Sequence, residues 1–239
     1  MAECNAAKTL DTAVLEEFDT DVMTGDRDKR RYLYYQLIHS MRKADRIDII
    51  VSFLMESGVK MLLEELKKAM KRGAKVRILT GNYLGITQPS ALYLIKHELG
   101  ELVDLRFYNE KNRSFHPKSY IFHYTDHSEI YIGSSNISRS ALTSGIEWNY
   151  RFSSHRDPEN YEKFYRTFED LFQNHSIVID DKELKRYSKS WHRPAASKDL
   201  DRYDNVEEEE DTKVRLLFEP RGAQIEALCA LENSRAEGA

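Results

Sequence analysis

The chain has 239 residues, 41% of them hydrophobic and 11% aromatic, which suits one large α/β domain with an appendage or two small domains. Its two cysteines, Cys4 and Cys229, lie near opposite ends, which argues against a disulfide framework or a structural zinc site and fits a reducing cytoplasm. The net charge of −4 excludes no class of partner, because removing the acidic run Glu207–Asp211 changes 40 acidic residues to 35 against 36 basic ones, or +1.

Hydrophobic spacing in the first half of the chain predicts helices that alternate with strands. A short helical pattern at residues 10–18 ends near Gly25. The elements predicted after it are helices over 30–46, 57–72 and 90–99 and strands over 47–53, 75–80 and 102–107. Strands that alternate with helices across short links form right-handed crossovers, so this part of the chain predicts a parallel sheet.

The pattern changes after residue 107. The elements predicted there are strands over 115–122, 129–132 and 147–152 and helices over 137–142, 158–172 and 181–191, with the first two strands forming a hairpin. The predicted fold class is α/β, with a mixed, largely parallel central sheet flanked by helices on both faces. The polar stretch 194–213 predicts an acidic linker between a domain of residues 1–193 and a further structured segment, 214–239.

No apolar run approaches the roughly 18 residues that a membrane span needs, and the first residues lack the basic flank and apolar stretch of a secretory signal. We therefore expect a cytoplasmic protein with no membrane partner.

Reactive side chains collect at predicted strand ends between residues 115 and 149. His116 and Lys118 lie two apart on one strand, so their side chains share a face. An imidazole can attack phosphorus or protonate a leaving oxygen, while a neighbouring lysine holds the non-bridging oxygens. The Gly-Ser-Ser-Asn sequence at 133–136 suits an oxyanion, and Glu147 is placed to orient the imidazole. Each signal alone is common in structural positions, so the argument rests on their order and spacing.

In order and spacing these residues resemble the phospholipase D superfamily motif, His-x-Lys-x4-Asp, then Gly-Ser-x-x-Asn, then Glu. The spacing from Asn136 to Glu147 is also similar to that of the superfamily's small bacterial endonucleases. The resemblance implies a phospholipase-D-like fold with a single His-Lys-Asp half. It further implies a two-step reaction, independent of metal and cofactor, in which one histidine attacks phosphorus and forms a phosphohistidine while a second histidine acts as general acid.

Carried over residue by residue, the resemblance assigns five catalytic residues. His116 matches the nucleophile or the second histidine that acts as general acid. Lys118 and Asn136 match the residues that hold the phosphate oxygens. Ser134 matches a supporting hydroxyl, and Glu147 matches the carboxylate behind the histidine.

The chain departs from the family motif at the aspartate position, which His123 occupies. His123 is an odd number of residues from His116, so strand alternation predicts that it points to the opposite face and supports the fold. Asp126 lies nearby but out of register. A metal site built from His116, His123 and His127 is not expected, because these residues scatter over two faces and a loop without a cysteine or paired carboxylate.

Nucleic acid is the substrate that the sequence favours, DNA more than RNA. The residues predicted to bind it are Lys111, Arg113, Ser135 and Arg139, with Tyr108 and Phe115 as possible stacking surface. Two alternatives stay open: a non-catalytic nucleic-acid-binding or docking module with the same fold, and a lipid phosphodiesterase.

Two further expectations concern context. Residues 218–228 resemble the opening of a superfamily II helicase, in which a glutamine, here Gln224, reads adenine; ATP is expected only for such a helicase portion. The chain has one His-x-Lys motif, whereas the implied mechanism needs two imidazoles at one phosphorus. We therefore expect a homodimer with one shared active site.

Overall fold

The computed structural model describes residues 21–26, 32–110, 112–194 and 227. Three predicted segments lie outside these residues: the helical pattern at 10–18, the linker after residue 194, and the C-terminal segment 214–239 apart from residue 227. The predicted division into domains depends on these segments and stays a prediction.

Within the described residues, helices and strands follow one another largely as the spacing predicts. The strands are β1 (Val22–Met23), β2 (Arg46–Val51), β3 (Lys75–Thr80), β4 (Val103–Tyr108), β5 (Lys118–His123), β6 (Ser128–Gly133), β7 (Asn149–Ser153) and β8 (Ser176–Val178). The helices are α1 (Leu33–Met41), α2 (Glu56–Lys71), α3 (Pro89–Leu99), α4 (Arg139–Thr143), α5 (Pro158–Asn174) and α6 (Asp181–Ser190). The sequence did not predict β1 and β8, because strands of 2 and 3 residues are too short to show alternation.

The eight strands of the described chain form one sheet in the order β1-β7-β6-β5-β2-β3-β4-β8. Only the pairs β2–β3 and β3–β4 are parallel, and the other five are antiparallel. The predicted mixed α/β sheet is therefore confirmed, but its parallel part is smaller than predicted. The parallel strand pairs end at β4. After it, β5 and β6 form an antiparallel hairpin, whereas α4 lies between β6 and β7 and α5 between β7 and β8.

Side chains alternate along the strands and give the sheet two apolar faces, each covered by helix. On the first face, β2 residues such as Ile47 and Ile49 belong to a core that also contains buried residues of α1, α2, α3 and α6. On the second face, Ile50 and Ile121 pack in a core with Phe168 and Phe172 of α5. Helices on both faces are thus confirmed, and each fully buried side chain of this kind contributes about 1.5–3 kcal/mol of transfer free energy.

The motif residues lie at neighbouring strand ends, all on the same side of the sheet. Because β5 is antiparallel to β2, its first residue, Lys118, pairs with the last residue of β2, Val51. On the other side of β5, the end of β6 at Gly133 pairs with the start of β7 at Asn149. We call this the site edge, since it brings Lys118, Gly133 and Asn149 to neighbouring positions.

A buried charged network lies on the second face of the sheet. The Asp48 carboxylate is fully buried and accepts two hydrogen bonds of 2.7 Å from the Arg77 guanidinium. Arg77 also binds Glu169 of α5, with contacts of 2.6 and 3.2 Å. Burial raises the pKa of Asp48, but hydrogen bonds from Arg77 and His123 outweigh it and bring the pKa below its ordinary value. The network therefore joins the sheet to α5 through compensated charges.

Replacing Asp48 with asparagine should lower the free energy of unfolding at pH 7 by roughly 3 kcal/mol, because it breaks a buried ion pair from one side. Since the folded pKa of Asp48 lies below the ordinary value of 3.8, its contribution is present above that pH and is lost as the pH falls through the folded pKa. Urea unfolding at neutral and acid pH should show the difference from wild type shrinking on acidification.

Asp104→Asn is the matched control. Asp104 lies on β4 and binds Arg106 with a side chain that is 37% exposed, so its loss should cost less than about 1 kcal/mol. Equal losses for the two variants would contradict the importance of the buried network.

Candidate active site

His116 and Lys118 meet at the site edge. The Lys118 ammonium nitrogen lies 2.8 Å from His116 Nδ1 and 3.1 Å from Nε2, and it donates to the His116 carbonyl at 3.0 Å. Lys118 is only 8% exposed, whereas His116 is exposed. The strand predicted from residue 115 begins only at Lys118, which fits the lack of an N–H group on Pro117 for the ladder.

The surroundings of both groups shift their protonation. Desolvation and the Lys118 cation lower the pKa of His116 below its ordinary value. Burial also lowers the pKa of Lys118, and the negative charge of the Glu147 carboxylate offsets only part of this decrease. A neutral imidazole is therefore favoured near neutral pH, and its lone pair is then available for attack on an electrophile.

The turn at 133–136 is built around a close backbone approach. A Cβ on Gly133 would stand 2.1 Å from the Trp148 carbonyl oxygen, so only glycine fits there. The next residue, Ser134, donates its hydroxyl hydrogen to the Glu147 carboxylate and accepts from the Trp148 N–H at 3.1 Å. Ser134 and Glu147 are thus in direct contact. The bond expected between Glu147 and His116 stays a prediction.

The remaining turn residues are buried. Asn136 is 5% exposed, and its Oδ1 accepts from the Phe53 N–H at 3.2 Å, which orients the amide nitrogen that would donate to a phosphate. Ser135 has no exposed surface; its Oγ accepts from Asn149 Nδ2 at 2.9 Å and its carbonyl from the Tyr120 hydroxyl at 3.1 Å. The hydroxyl and the carbonyl of Ser135 thus hold the turn, and its role in binding substrate stays a prediction.

The other residues predicted to contact substrate differ in their exposure to solvent. Arg113 is exposed in the segment between β4 and β5, and Arg139 is partly buried at the first position of α4. Lys111 lies outside the described residues. Phe115 is 8% exposed and stacks on Tyr108 with ring centroids 4.5 Å apart, so its ring is not available as a stacking surface for bases.

Two residues of the site were not singled out from the sequence. Ser52 is fully buried and accepts from the Lys118 ammonium at 3.1 Å, while its own hydroxyl donates to the Pro117 carbonyl at 3.1 Å. Asn149 holds Ser135 from the start of β7. For Ser52, the sequence offered one signal: it is a serine inside the apolar run 47–53, and a buried hydroxyl needs a polar partner.

His123 lies on the second face of the sheet, as strand alternation predicts. Its Nε2 is 2.7 Å from Asp48 Oδ2, and its Nδ1 is 3.1 Å from the Ser128 hydroxyl. The residue at the family's aspartate position is therefore part of the buried network, away from His116.

In the part of the chain that the structure describes, no group of three or more His, Cys, Asp or Glu residues is placed to hold a metal ion. None of the described helices is both long enough and apolar enough to cross a membrane.

A mixed sheet that brings a His-x-Lys pair and a Gly-Ser-Ser-Asn turn to one edge defines a phospholipase-D-like domain. Residues 35–175, more than half of the chain, match the family model described as "Cardiolipin synthase, PLD-like domain". The chain belongs to this family. No curated protein matches it.

Solved structures with similar folds include two bacterial proteins that are nearly covered by the match. NucT from Helicobacter pylori is 15% identical with a TM-score of 0.52, over 66% of this chain and 97% of that one. The phospholipase D family member NUC from Salmonella typhimurium is 21% identical with a TM-score of 0.46, over 61% and 89%. Phosphatidylserine synthase from Haemophilus influenzae is 11% identical with a TM-score of 0.50, over 79% and 45%. At these identities, NucT and the synthase support the fold alone.

Restoring the family residue with His123→Asp should destabilise the fold by roughly 2–4 kcal/mol while changing turnover little. The new carboxylate would face Asp48 in a buried site and would lose the hydrogen bond that the imidazole now makes. Urea unfolding and steady-state kinetics of folded protein measure the two effects. His123→Gln, which keeps a hydrogen-bond donor beside Asp48, is the control and should lose less stability. A large drop in turnover with an unchanged unfolding curve would contradict a structural role.

Proposed function

We propose that this domain is a metal-independent phosphodiesterase that cleaves nucleic acid, DNA in preference to RNA, through a phosphohistidine intermediate. The observation that carries the proposal is the contact between the Lys118 ammonium and both ring nitrogens of His116, at 2.8 and 3.1 Å, on an exposed sheet edge. An exposed nucleophile beside a buried cation is the arrangement that attack on a negatively charged phosphodiester requires.

In the first step, a ring nitrogen of neutral His116 attacks phosphorus. An N–P bond forms while the bond from phosphorus to the departing oxygen breaks, and that oxygen takes a proton from a second imidazole. In the second step, water attacks the same phosphorus and gives its proton to the second imidazole, now a base, as the N–P bond breaks. Lys118 and the oriented amide of Asn136 hold the non-bridging oxygens, which carry the negative charge throughout.

Nucleic acid is supported as substrate by positive charge near the motif and by the resemblance of 218–228 to a helicase opening. Arg113 lies on the segment that leads to His116, and Arg139 begins the helix that follows the turn. We propose further that the domain is attached to a DNA helicase, although residues 214–239 lie outside the described residues apart from residue 227. A lipid phosphodiester is the competing substrate, since the matching family model and one similar structure carry the names of lipid synthases.

The second imidazole is proposed to come from an identical chain related by a two-fold axis. Large apolar side chains flank Glu147 at the site edge and are open to solvent: Ile146 is 85% exposed and Trp148 is 72% exposed. Exposed apolar side chains beside a half-site fit a surface that a second copy covers. An interface through them should bury roughly 1,200 Å² or more in total.

The activity is tested with DNA, RNA and phosphatidylglycerol vesicles as substrates, each with and without excess EDTA. DNA cleavage should survive the chelator, and His116→Ala should reduce it by roughly four orders of magnitude or more while the circular dichroism spectrum stays that of the wild type. His155→Ala is the matched control, because His155 is an exposed histidine next to the β5–β6 turn, at the opposite end of β5 from Lys118.

The outcomes separate the candidate functions. Hydrolysis of the vesicles without hydrolysis of DNA would make lipid the substrate. Tight DNA binding with no cleavage in any condition would favour a non-catalytic binding module. Activity abolished by EDTA and restored by magnesium would refute the metal-independent mechanism.

The shared site is tested by mixing chains. With a ninefold excess of His116→Ala over wild type, random pairing leaves about a tenth of the wild-type chains with a wild-type partner, so activity per wild-type chain should fall about tenfold. The control is the same excess of a His116→Ala/Trp148→Glu double variant, in which a charge on the proposed interface prevents pairing. Equal inhibition by both variants, or full activity from a sedimenting monomer, would contradict a two-chain site.

A further inference from the structure

The candidate nucleophile is carried by a segment without regular structure. Neither helix nor strand occurs among the described residues between Tyr108 and Lys118, and His116 itself is exposed. Catalysis at phosphorus requires the attacking nitrogen to be held near its productive position, and a displacement of about 1 Å can cost a hundredfold in rate. Some feature of the fold must therefore hold the backbone of this segment.

On its C-terminal side, His116 is held by its neighbours in the chain. Pro117 fixes its own φ angle and restricts His116 to extended backbone. The Pro117 carbonyl accepts from Ser52, and the His116 carbonyl accepts from Lys118. These contacts fix the peptide groups after the imidazole but not those before it.

On the N-terminal side, the fixed group is the ring of Phe115. It is 8% exposed and belongs to the core on the second face. Tyr108 covers one side of the ring, with centroids 4.5 Å apart and planes inclined by 20°. Gly81 forms another wall: a Cβ at this position would stand 2.6 Å from Phe115 Cδ1. The ring thus occupies a socket that exists only because residue 81 lacks a side chain.

The wall of this socket is itself braced. The Thr87 hydroxyl donates to the Gly81 carbonyl at 2.5 Å. The Tyr187 hydroxyl of α6 lies 2.7 Å from both the Thr87 carbonyl and Asn82 Oδ1. The loop after β3 is therefore tied to α6, and Gly81 cannot move away from the ring without breaking these bonds.

We propose that Phe115 is a positioning residue for His116, and that the socket formed by Gly81 and Tyr108 sets where the imidazole stands relative to Lys118. The proposal rests on the function proposed above for its catalytic consequence, but the placement of the imidazole is a separate, measurable property.

Gly81→Ala tests the proposal by overfilling the socket. Ordinary contact begins at 3.4 Å, so the ring must shift by about 0.8 Å from its present 2.6 Å. On folded protein, we expect kcat for DNA cleavage to fall tenfold or more with KM changed less than about threefold. The pKa of His116, followed by NMR with His116→Ala for assignment, should rise toward its ordinary value as the ring leaves its partly desolvated position beside the Lys118 cation.

Phe115→Leu tests the same position by partly emptying the socket and should produce the same two changes. Phe152→Leu is its matched control, because Phe152 is also 8% exposed in the same core but does not adjoin His116. It should lose comparable stability in urea unfolding with kcat and the His116 titration unchanged.

The placement proposal is overturned if either folded socket variant keeps the wild-type His116 titration, or if Phe152→Leu shifts it equally. The readouts also separate the two proposals: a wild-type protein inactive on every phosphodiester would refute the proposed function, whereas the NMR titrations would still decide the role of the socket.

Discussion

The pairing of β5 with β2 is the constraint on which the rest of the site depends. Because β5 runs antiparallel to β2 with Lys118 opposite Val51, the start of the motif strand meets the end of a buried strand. That register places Ser52 within 3.1 Å of the Lys118 ammonium and holds the peptide groups around Pro117. A shift by one residue would move Lys118 to the other face of the sheet, so the hydrophobic alternation that fixes the register also fixes the site.

The charged residues of the supporting network and those of the candidate active site lie in different parts of the sheet. On the second face, Asp48 receives Arg77 and His123 in a buried network that joins the sheet to α5. His123 takes the family's aspartate position and contacts the Asp48 carboxylate on the neighbouring strand. The departure from the family motif therefore lies in the network on the second face, whereas His116 and Lys118 meet at the site edge.

Most of the polar groups around the site edge are committed to holding one another. Ser135 and Asn149 fix the turn, Phe53 orients Asn136, and Ser134 binds Glu147. Such preorganisation leaves few groups that must move when charge develops on a substrate. The imidazole of His116 is exposed and contacts Lys118, and we infer that its position also depends on the aromatic ring packed one residue before it and on the proline that follows.

The sequence by itself determined most elements, the mixed sheet with helices on both faces, the pairing of His116 with Lys118 and the orientation of His123. These follow from periodicity and from motif spacing, which are local properties of the chain. Tertiary structure decided what distant residues meet: the antiparallel share of the sheet, the short edge strands, and the roles of Ser52 and Asp48. It also decided that Ser135 and Phe115 are buried, because burial depends on what packs against a side chain. Local spacing carries no information about those partners.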